Sequence, residues 1–553
     1  MLSSKGDLLQ DLLPLMKKWI IVLIILLLIA GCAGGFLRRT SYLKEHPSEE
    51  RIPVGEYFDT GGDDVAIFFD EVFSKTKGRY IEGRVFLPLS WVNENLNDHF
   101  FWDEKNSQML YALPEEIISL GKESEEIRLV SGKPYISLEY IEPFCNAQFS
   151  EFYNNGVHRV FIDDTWSDRK VSLVRKDAVL RTGASAGQRI ITDLSKDEKV
   201  FLMEESKDGW SHIVTEDGFR GYVQENLLTR SMTETRKSTY KAPEYTNISY
   251  KKKIVLGWHQ VGSRKNNSSC GKLLDAAPAL TVISPTWFSI SDNEGNISSL
   301  ADDSYVEEAH ARGIHVWALA DNFSSSIRTL DILSDTEKRR HLIEELVGEI
   351  CSHNIDGLNI DFEALEAECS EYYIQFMREL SAYCRLNSIV LSVDVPNPAP
   401  FNAIYRRDAL AECCDYIINM GYDEHYAGGK KGSVSSITFF AGGIEESLLQ
   451  VPAEKLIAAL PFYTRIWTDN DSRAVSISAA AEWIQENDVV LVWNDDCGQY
   501  YGEAETKEGK CYLWNEDAES LLLKLKIIKE NDLAGTACWR LGLDNPEIWN
   551  LFR

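Results

Sequence analysis

From residue 254 to its end the chain keeps changing period. Short apolar runs begin near Ile254, Thr281, His315, Gly357, Ile389, Tyr416, Leu456 and Gly535. Amphipathic stretches with a helical repeat lie between most of them. In one, Leu342, Ile343, Leu346, Val347 and Ile350 share a face behind the cap candidates Ser334 and Asp335. Strands this apolar must be covered by helices on their outer side, and eight strand–helix units over about 300 residues close into a (β/α)8 barrel. The interval between the seventh and eighth runs is longer than the others. Residues 489–493, 499–502 and 511–514 alternate there, which predicts an inserted hairpin.

The barrel accounts for residues 252–553, and at about 150 residues per domain a chain of 553 residues holds three or four domains. Residues 1–37 read as a leader followed by a membrane segment. Positions 19–37 (WIIVLIILLLIAGCAGGFL) carry no charge and are flanked by Lys17, Lys18, Arg38 and Arg39. That length can span a bilayer, as a signal anchor or a secretory signal. Ile29-Ala30-Gly31-Cys32 resembles a bacterial lipobox, so a lipid on Cys32 is the alternative tether. Either way the expected location is the cell membrane, with the barrel outside the cytoplasm. Residues 38–55 form a charged stalk.

Residues 56–172 contain strand-like runs at 84–92 and 108–113 with a turn at 103–107. This segment resembles the copper-amine-oxidase N-terminal-like domain of bacterial surface proteins, a resemblance that implies neither copper nor redox chemistry. Residues 173–229 alternate in short pieces with glycine turns, predicting a small β-barrel. With Trp210 after Gly209 and Gly221-Tyr222-Val223, the segment is similar to the bacterial SH3 domain, which implies a spacer or a binder of cell-wall peptides. Residues 183–187 match the GxSxG pattern, but that nucleophile elbow must open a helix and here a strand-like series follows. Residues 230–251 are polar and read as a linker.

Composition narrows the partners. With 86 acidic against 57 basic residues the net charge is -29, which excludes a phosphate-backbone partner. The apolar share of 44% excludes a disordered chain. Fourteen Trp in such a chain point to large cores, carbohydrate platforms or both. Among the 11 Cys there is no CxxC and no metal-ligand spacing, so neither a metal nor another cofactor is expected. Cys351, Cys369, Cys384, Cys413, Cys414 and Cys538 fall in apolar or helical patterns and read as buried thiols. Cys497 and Cys511 flank the inserted hairpin and could pair.

The chemistry lies in the fourth run, Asp356-Gly-Leu-Asn-Ile-Asp-Phe-Glu363. Alternation puts Asn359, Asp361 and Glu363 on one face and Leu358, Ile360 and Phe362 on the other. The apolar set must meet the helices, which turns the polar set into the lumen. Polar groups there are costly unless they bond one another.

This strand resembles the DxxDxDxE signature of glycoside hydrolase family 18, with Asn359 in place of the second Asp. The resemblance implies Glu363 as general acid and Asp361 as the residue that orients the substrate's own 2-acetamido group for attack, the substrate-assisted route. Met420-Gly-Tyr-Asp423 resembles the family's MxYD, implying that Tyr422 stabilises the intermediate and Asp423 binds sugar hydroxyls. Leu460-Pro-Phe-Tyr-Thr-Arg-Ile-Trp467, closing the seventh strand, resembles PFYGRxW with Thr464 for Gly and offers Tyr463 and Arg465 as substrate contacts. Trp539 on the eighth strand matches the Trp beneath the sugar at the cleavage position. The third strand, His315-Val-Trp-Ala-Leu-Ala-Asp-Asn322, lacks the family's SxGG. Trp258, Trp287 and Trp317 are open to sugar stacking or core packing alike.

The resemblance, closest to the spore-germination and cell-wall branch, implies a surface-tethered enzyme acting on peptidoglycan. Chitin or chito-oligosaccharides as substrate, and a non-catalytic glycan-binding barrel, are the alternatives.

Overall fold

The computed structural model describes Cys32 and residues 47–552, apart from Glu71, Asn155, Glu204, Glu205, Lys207, Thr246 and Asn247. The apolar run 19–37 and the lipobox-like tetrapeptide lie outside the described residues, except Cys32, whose thiol is free and exposed. Among the described residues no helix is long and apolar enough to cross a membrane. The chain divides into two units, Met1–Asp98 with Glu123–Ala242, and His99–Lys122 with Pro243–Arg553.

The first unit carries two seven-stranded sheets. In one, Asp64–Phe69 pairs in parallel with Val157–Asp163. The other is antiparallel throughout and contains Arg169–Leu173, Lys199–Leu202, Trp210–Thr215 and Arg220–Gln224. The run 84–92 is not one strand. It stops at Pro88 and continues as the helix Leu89–Asn95, because a proline cannot donate to the ladder. Residues 183–187 form a turn between the antiparallel strands Ala178–Arg181 and Ile190–Leu194, so no helix follows Ser185 and no nucleophile elbow exists.

The second unit is a closed barrel of eight parallel strands. They are β1 (Ile254–His259), β2 (Val282–Ile290), β3 (His315–Asp321), β4 (Gly357–Asp361), β5 (Val390–Pro396), β6 (Tyr416–Met420), β7 (Leu456–Pro461) and β8 (Gly535–Trp539). Closure runs through the β1–β8 and β1–β2 pairings. All eight begin within a residue of the positions that hydrophobic periodicity marks. Alternation also sorts the core correctly: Leu358, Ile360 and Phe362 pack outward with Leu346, Ile374 and Phe376, whereas Trp258, Leu319, Tyr416 and Ile418 fill the lumen. The helix Thr336–Ser352 starts where the sequence places it, with the Asp335 carboxylate accepting from the Glu337 and Lys338 amides.

The structure decides four further points that local sequence left open or placed otherwise. Trp258, Trp287 and Trp317 are 1%, 1% and 0% exposed, so none presents an open stacking face. Cys351 is exposed, because it sits one residue beyond Ile350 on the solvent side of its helix; the other five thiols read as buried are buried. Cys497 and Cys511 are both free. In the linker segment 230–251, Met232–Glu234 pairs with Arg169–Leu173 of the first unit, and Tyr250 stacks on Trp317 and Tyr416 of the second.

Residues 99–122 join the barrel unit although they come from the middle of the N-terminal half. Their three-stranded sheet lies against the helices Thr336–Ser352 and Ser370–Leu386. Phe101 packs edge-on to Tyr372, and the Arg339 guanidinium lies 5.1 Å over the Phe101 ring while pairing with Glu379 at 2.8 Å.

The insertion after β7 is a five-stranded sheet rather than a lone hairpin. Its anchor is Glu516, 0% exposed. Its carboxylate accepts from Lys524 Nζ at 2.7 and 2.9 Å, from Ser520 Oγ at 2.7 Å and from Gln499 Nε2 at 2.7 Å. Replacing Lys524 by Met is expected to cost about 3–5 kcal/mol, since a buried charge loses its partner. Urea unfolding of the variant checks this, and an unchanged midpoint would show the pair contributes little.

Candidate active site

The site sits at the C-terminal ends of the barrel strands, and its base is a polar ladder inside the lumen. Asn359 is fully buried on β4. Its Oδ1 accepts from Trp258 Nε1 at 2.9 Å and from Ser284 Oγ at 3.4 Å, and its Nδ2 donates to Asp394 Oδ1 at 2.9 Å. An amide serves both directions here, whereas a carboxylate in its place would face Asp394 as a second negative charge. Asp356, the first residue of the motif, sits before the opposite end of β4. It accepts from the Val316 amide at 2.7 Å and contacts His310 Nε2 at 2.8 Å, a structural tie away from the chemistry.

One step above Asn359 lies Asp361, 6% exposed, with Oδ1 buried and without a hydrogen-bond partner. Burial raises its carboxyl well above the usual range, and Asp394, Glu363 and Asp321 add to the rise. Glu363 follows beyond the strand end, open to solvent at the rim. Its proton is held more tightly than in a free carboxyl, first by the surrounding protein and then by Asp423 and Asp321. An acid that keeps its proton at the end of the strand is the arrangement needed for protonating a leaving group.

The wall is built by β6 and the segment after β7. Gly421 passes close to its neighbours: a Cβ there would stand 2.6 Å from Phe440 and 3.0 Å from the Ala459 carbonyl. This places Tyr422 in the lumen layer, where burial and then Asp394 and Asp361 hold its hydroxyl protonated. Asp423 turns with φ 58° and accepts from the Tyr463 hydroxyl. β7 itself ends at Pro461, and Tyr463–Trp467 starts a new strand in the inserted sheet. Thr464, where the family pattern has Gly, accepts from the Glu516 amide at 2.7 Å and so belongs to that sheet's anchor. Arg465 shares a strand face with Tyr463 and donates to Ser472 Oγ at 3.3 Å. Trp539, partly exposed at the end of β8, meets Trp258 edge-on at 5.8 Å.

Glu363, Asp361, Asn359, Tyr422, Asp423, Tyr463, Arg465 and Trp539 therefore belong to one linked group. Sequence reasoning missed Asp394, buried on β5. Its signal was present: in Val390-Leu-Ser-Val-Asp-Val-Pro396 the polar Ser392 and Asp394 alternate with apolar residues, as on β4. It also missed Tyr405, whose hydroxyl donates to the Phe362 carbonyl at 3.0 Å beside the acid. Among the described residues no group of three His, Cys, Asp or Glu side chains is placed to hold a metal ion.

The family model for glycosyl hydrolases family 18 matches residues 317–544. The chain is 24% identical over 293 residues to the uncharacterized glycosylase YvbX of Bacillus subtilis, covering 50% of this chain and 84% of that protein. It is 27% identical over 236 residues to the cortical fragment-lytic enzyme of the same organism, covering 40% of this chain and 54% of that one. Over 54% of this chain the fold is similar to that of a crystallised Chromobacterium violaceum chitinase, with a TM-score of 0.50, 20% identity and coverage of 98% of that chain.

Proposed function

This chain is a glycosidase, and we propose that it cuts β-1,4 bonds after N-acetylglucosamine in peptidoglycan. The observation that carries the reading is the pair at the end of β4. Glu363 is a proton-holding acid at the rim, and Asp361 beneath it has a buried oxygen free to accept. In the proposed reaction Glu363 gives its proton to the glycosidic oxygen. Asp361 accepts from the N–H of the 2-acetamido group, whose carbonyl oxygen attacks the anomeric carbon with retention overall. The Tyr422 hydroxyl hydrogen-bonds that carbonyl. Trp539 forms the apolar floor under the sugar, and Asp423, Tyr463 and Arg465 line the wall that takes its hydroxyls.

The similarity to a cortical fragment-lytic enzyme supports a cell-wall glycan as substrate. So does the chain's architecture, with the apolar run 19–37 as a membrane tether, by helix or by lipid at Cys32, and the SH3-like segment 173–229 as a contact for wall peptides. The test uses the whole chain on purified peptidoglycan and on chitin. New reducing ends from peptidoglycan are expected. Release from chitin alone would redirect the reading to a chitinase, and binding without release from either would leave only the glycan-binding barrel.

A further inference from the structure

The third strand departs from the family pattern at its end, and that end reaches the acid. Asn322, the residue after β3, bonds the backbone of Glu363 on both sides. Its Nδ2 donates to the Glu363 carbonyl at 2.9 Å, and its Oδ1 accepts from the Glu363 amide at 2.9 Å. The same Nδ2 also donates to Thr329 Oγ1 at 2.9 Å, which fixes the amide plane. Pairing between β3 and β4 stops at Asp321 opposite Asp361. The amide thus continues the ladder by one step and holds the acid where no strand partner remains.

Asp321 itself is 8% exposed and takes part in a row across three strands, with Ser289 of β2 on one side and Asp361 of β4 on the other. Both its oxygens are satisfied: Ser289 Oγ donates at 2.8 Å and the Phe323 amide at 3.0 Å. Burial raises its carboxyl above the usual range, and the two donors work against that rise. Its ionised form disfavours a negative charge on Glu363 and on Asp361.

We propose that the end of β3 is a working part of this active site, with Asn322 positioning Glu363 through its backbone and Asp321 as the buried acidic neighbour of Glu363 and Asp361. Neither residue needs to touch the substrate. The other titratable groups facing the acid are Asp361 on β4, Asp394 on β5, Tyr405 in the loop after β5, and Asp423 after β6. All of these are negative or neutral, so removing one negative neighbour makes deprotonation of Glu363 easier.

The inference rests on Glu363 being the acid, so the experiment runs three variants of the whole chain beside the wild type, reading reducing ends across pH. With Asp321→Asn the alkaline limb of the rate profile is expected to move down by about one pH unit, as for loss of one nearby like charge. With Asn322→Ala the limb stays and kcat falls about tenfold with KM changed little, the mark of a mispositioned group rather than lost binding. Glu363→Gln separates the two readings. Survival of activity in that variant overturns the acid assignment and this inference together. Loss of activity there, with an unmoved limb in Asp321→Asn or an unchanged kcat in Asn322→Ala, overturns this inference alone.

Discussion

Glu363→Gln is expected to lower hydrolysis by about 10²–10⁴-fold, the usual worth of a positioned proton donor, while glycan binding persists. Gln keeps the size of the side chain, and the Asn322 bonds to the backbone are untouched because they do not involve the carboxyl. Only the proton is lost. The wild-type enzyme should in turn lose activity as pH rises through the acid's pKa, since the protonated form is the working one. Burial, Asp423 and Asp321 all move that point upward from the ordinary glutamate value, so the alkaline limb should lie above it. Reducing-end assays on glycan, with a pull-down of the same variant, measure both quantities. A variant that retains more than about a tenth of the wild-type rate would remove Glu363 from the acid role.

Asp361→Asn is the second large effect. Asp361 has a buried oxygen without a partner, a costly state that an N–H from a bound ligand would relieve. Asn at this position keeps an acceptor but cannot ionise, so it offers no charge to the cationic, ring-closed form of the acetamido group when that form develops. Turnover should fall about 10²–10³-fold, the size seen when one preorganised electrostatic contact is removed, with KM within a few-fold. The split matters more than the size. A rise in KM with kcat intact would mean that Asp361 only binds substrate, and unchanged kinetics would exclude assistance through it.

Much of the barrel was legible because its signals are local. Apolar runs of strand length separated by helical repeats mark each unit, and period-2 alternation alone tells that Leu358, Ile360 and Phe362 face the helices while Asn359 and Asp361 face the lumen. The same rule would have shown Asp394 on β5, where it stands beside Ser392 on the inward face. Trp residues were less legible. An indole on a barrel strand packs inward or stacks on sugar with the same local pattern, and only exposure separates the half-open Trp539 from the buried Trp258, Trp287 and Trp317.

The sequence by itself determined the class of the C-terminal unit, its eight strands and the residues of the β4 motif, because each depends on spacing along one stretch of chain. Only the tertiary structure decided what surrounds them. Asn322 bonds the Glu363 backbone across 41 residues of sequence, Asn359 meets Trp258 across 101, and Thr464 meets Glu516 across 52. The segment 99–122 joins the barrel unit from far upstream, with Lys105 reaching the cap residue Asp335. Side-chain hydrogen bonds and buried charges of this kind depend on which strands become neighbours when the barrel closes. Closure is a property of the whole sheet, and no window of sequence contains it.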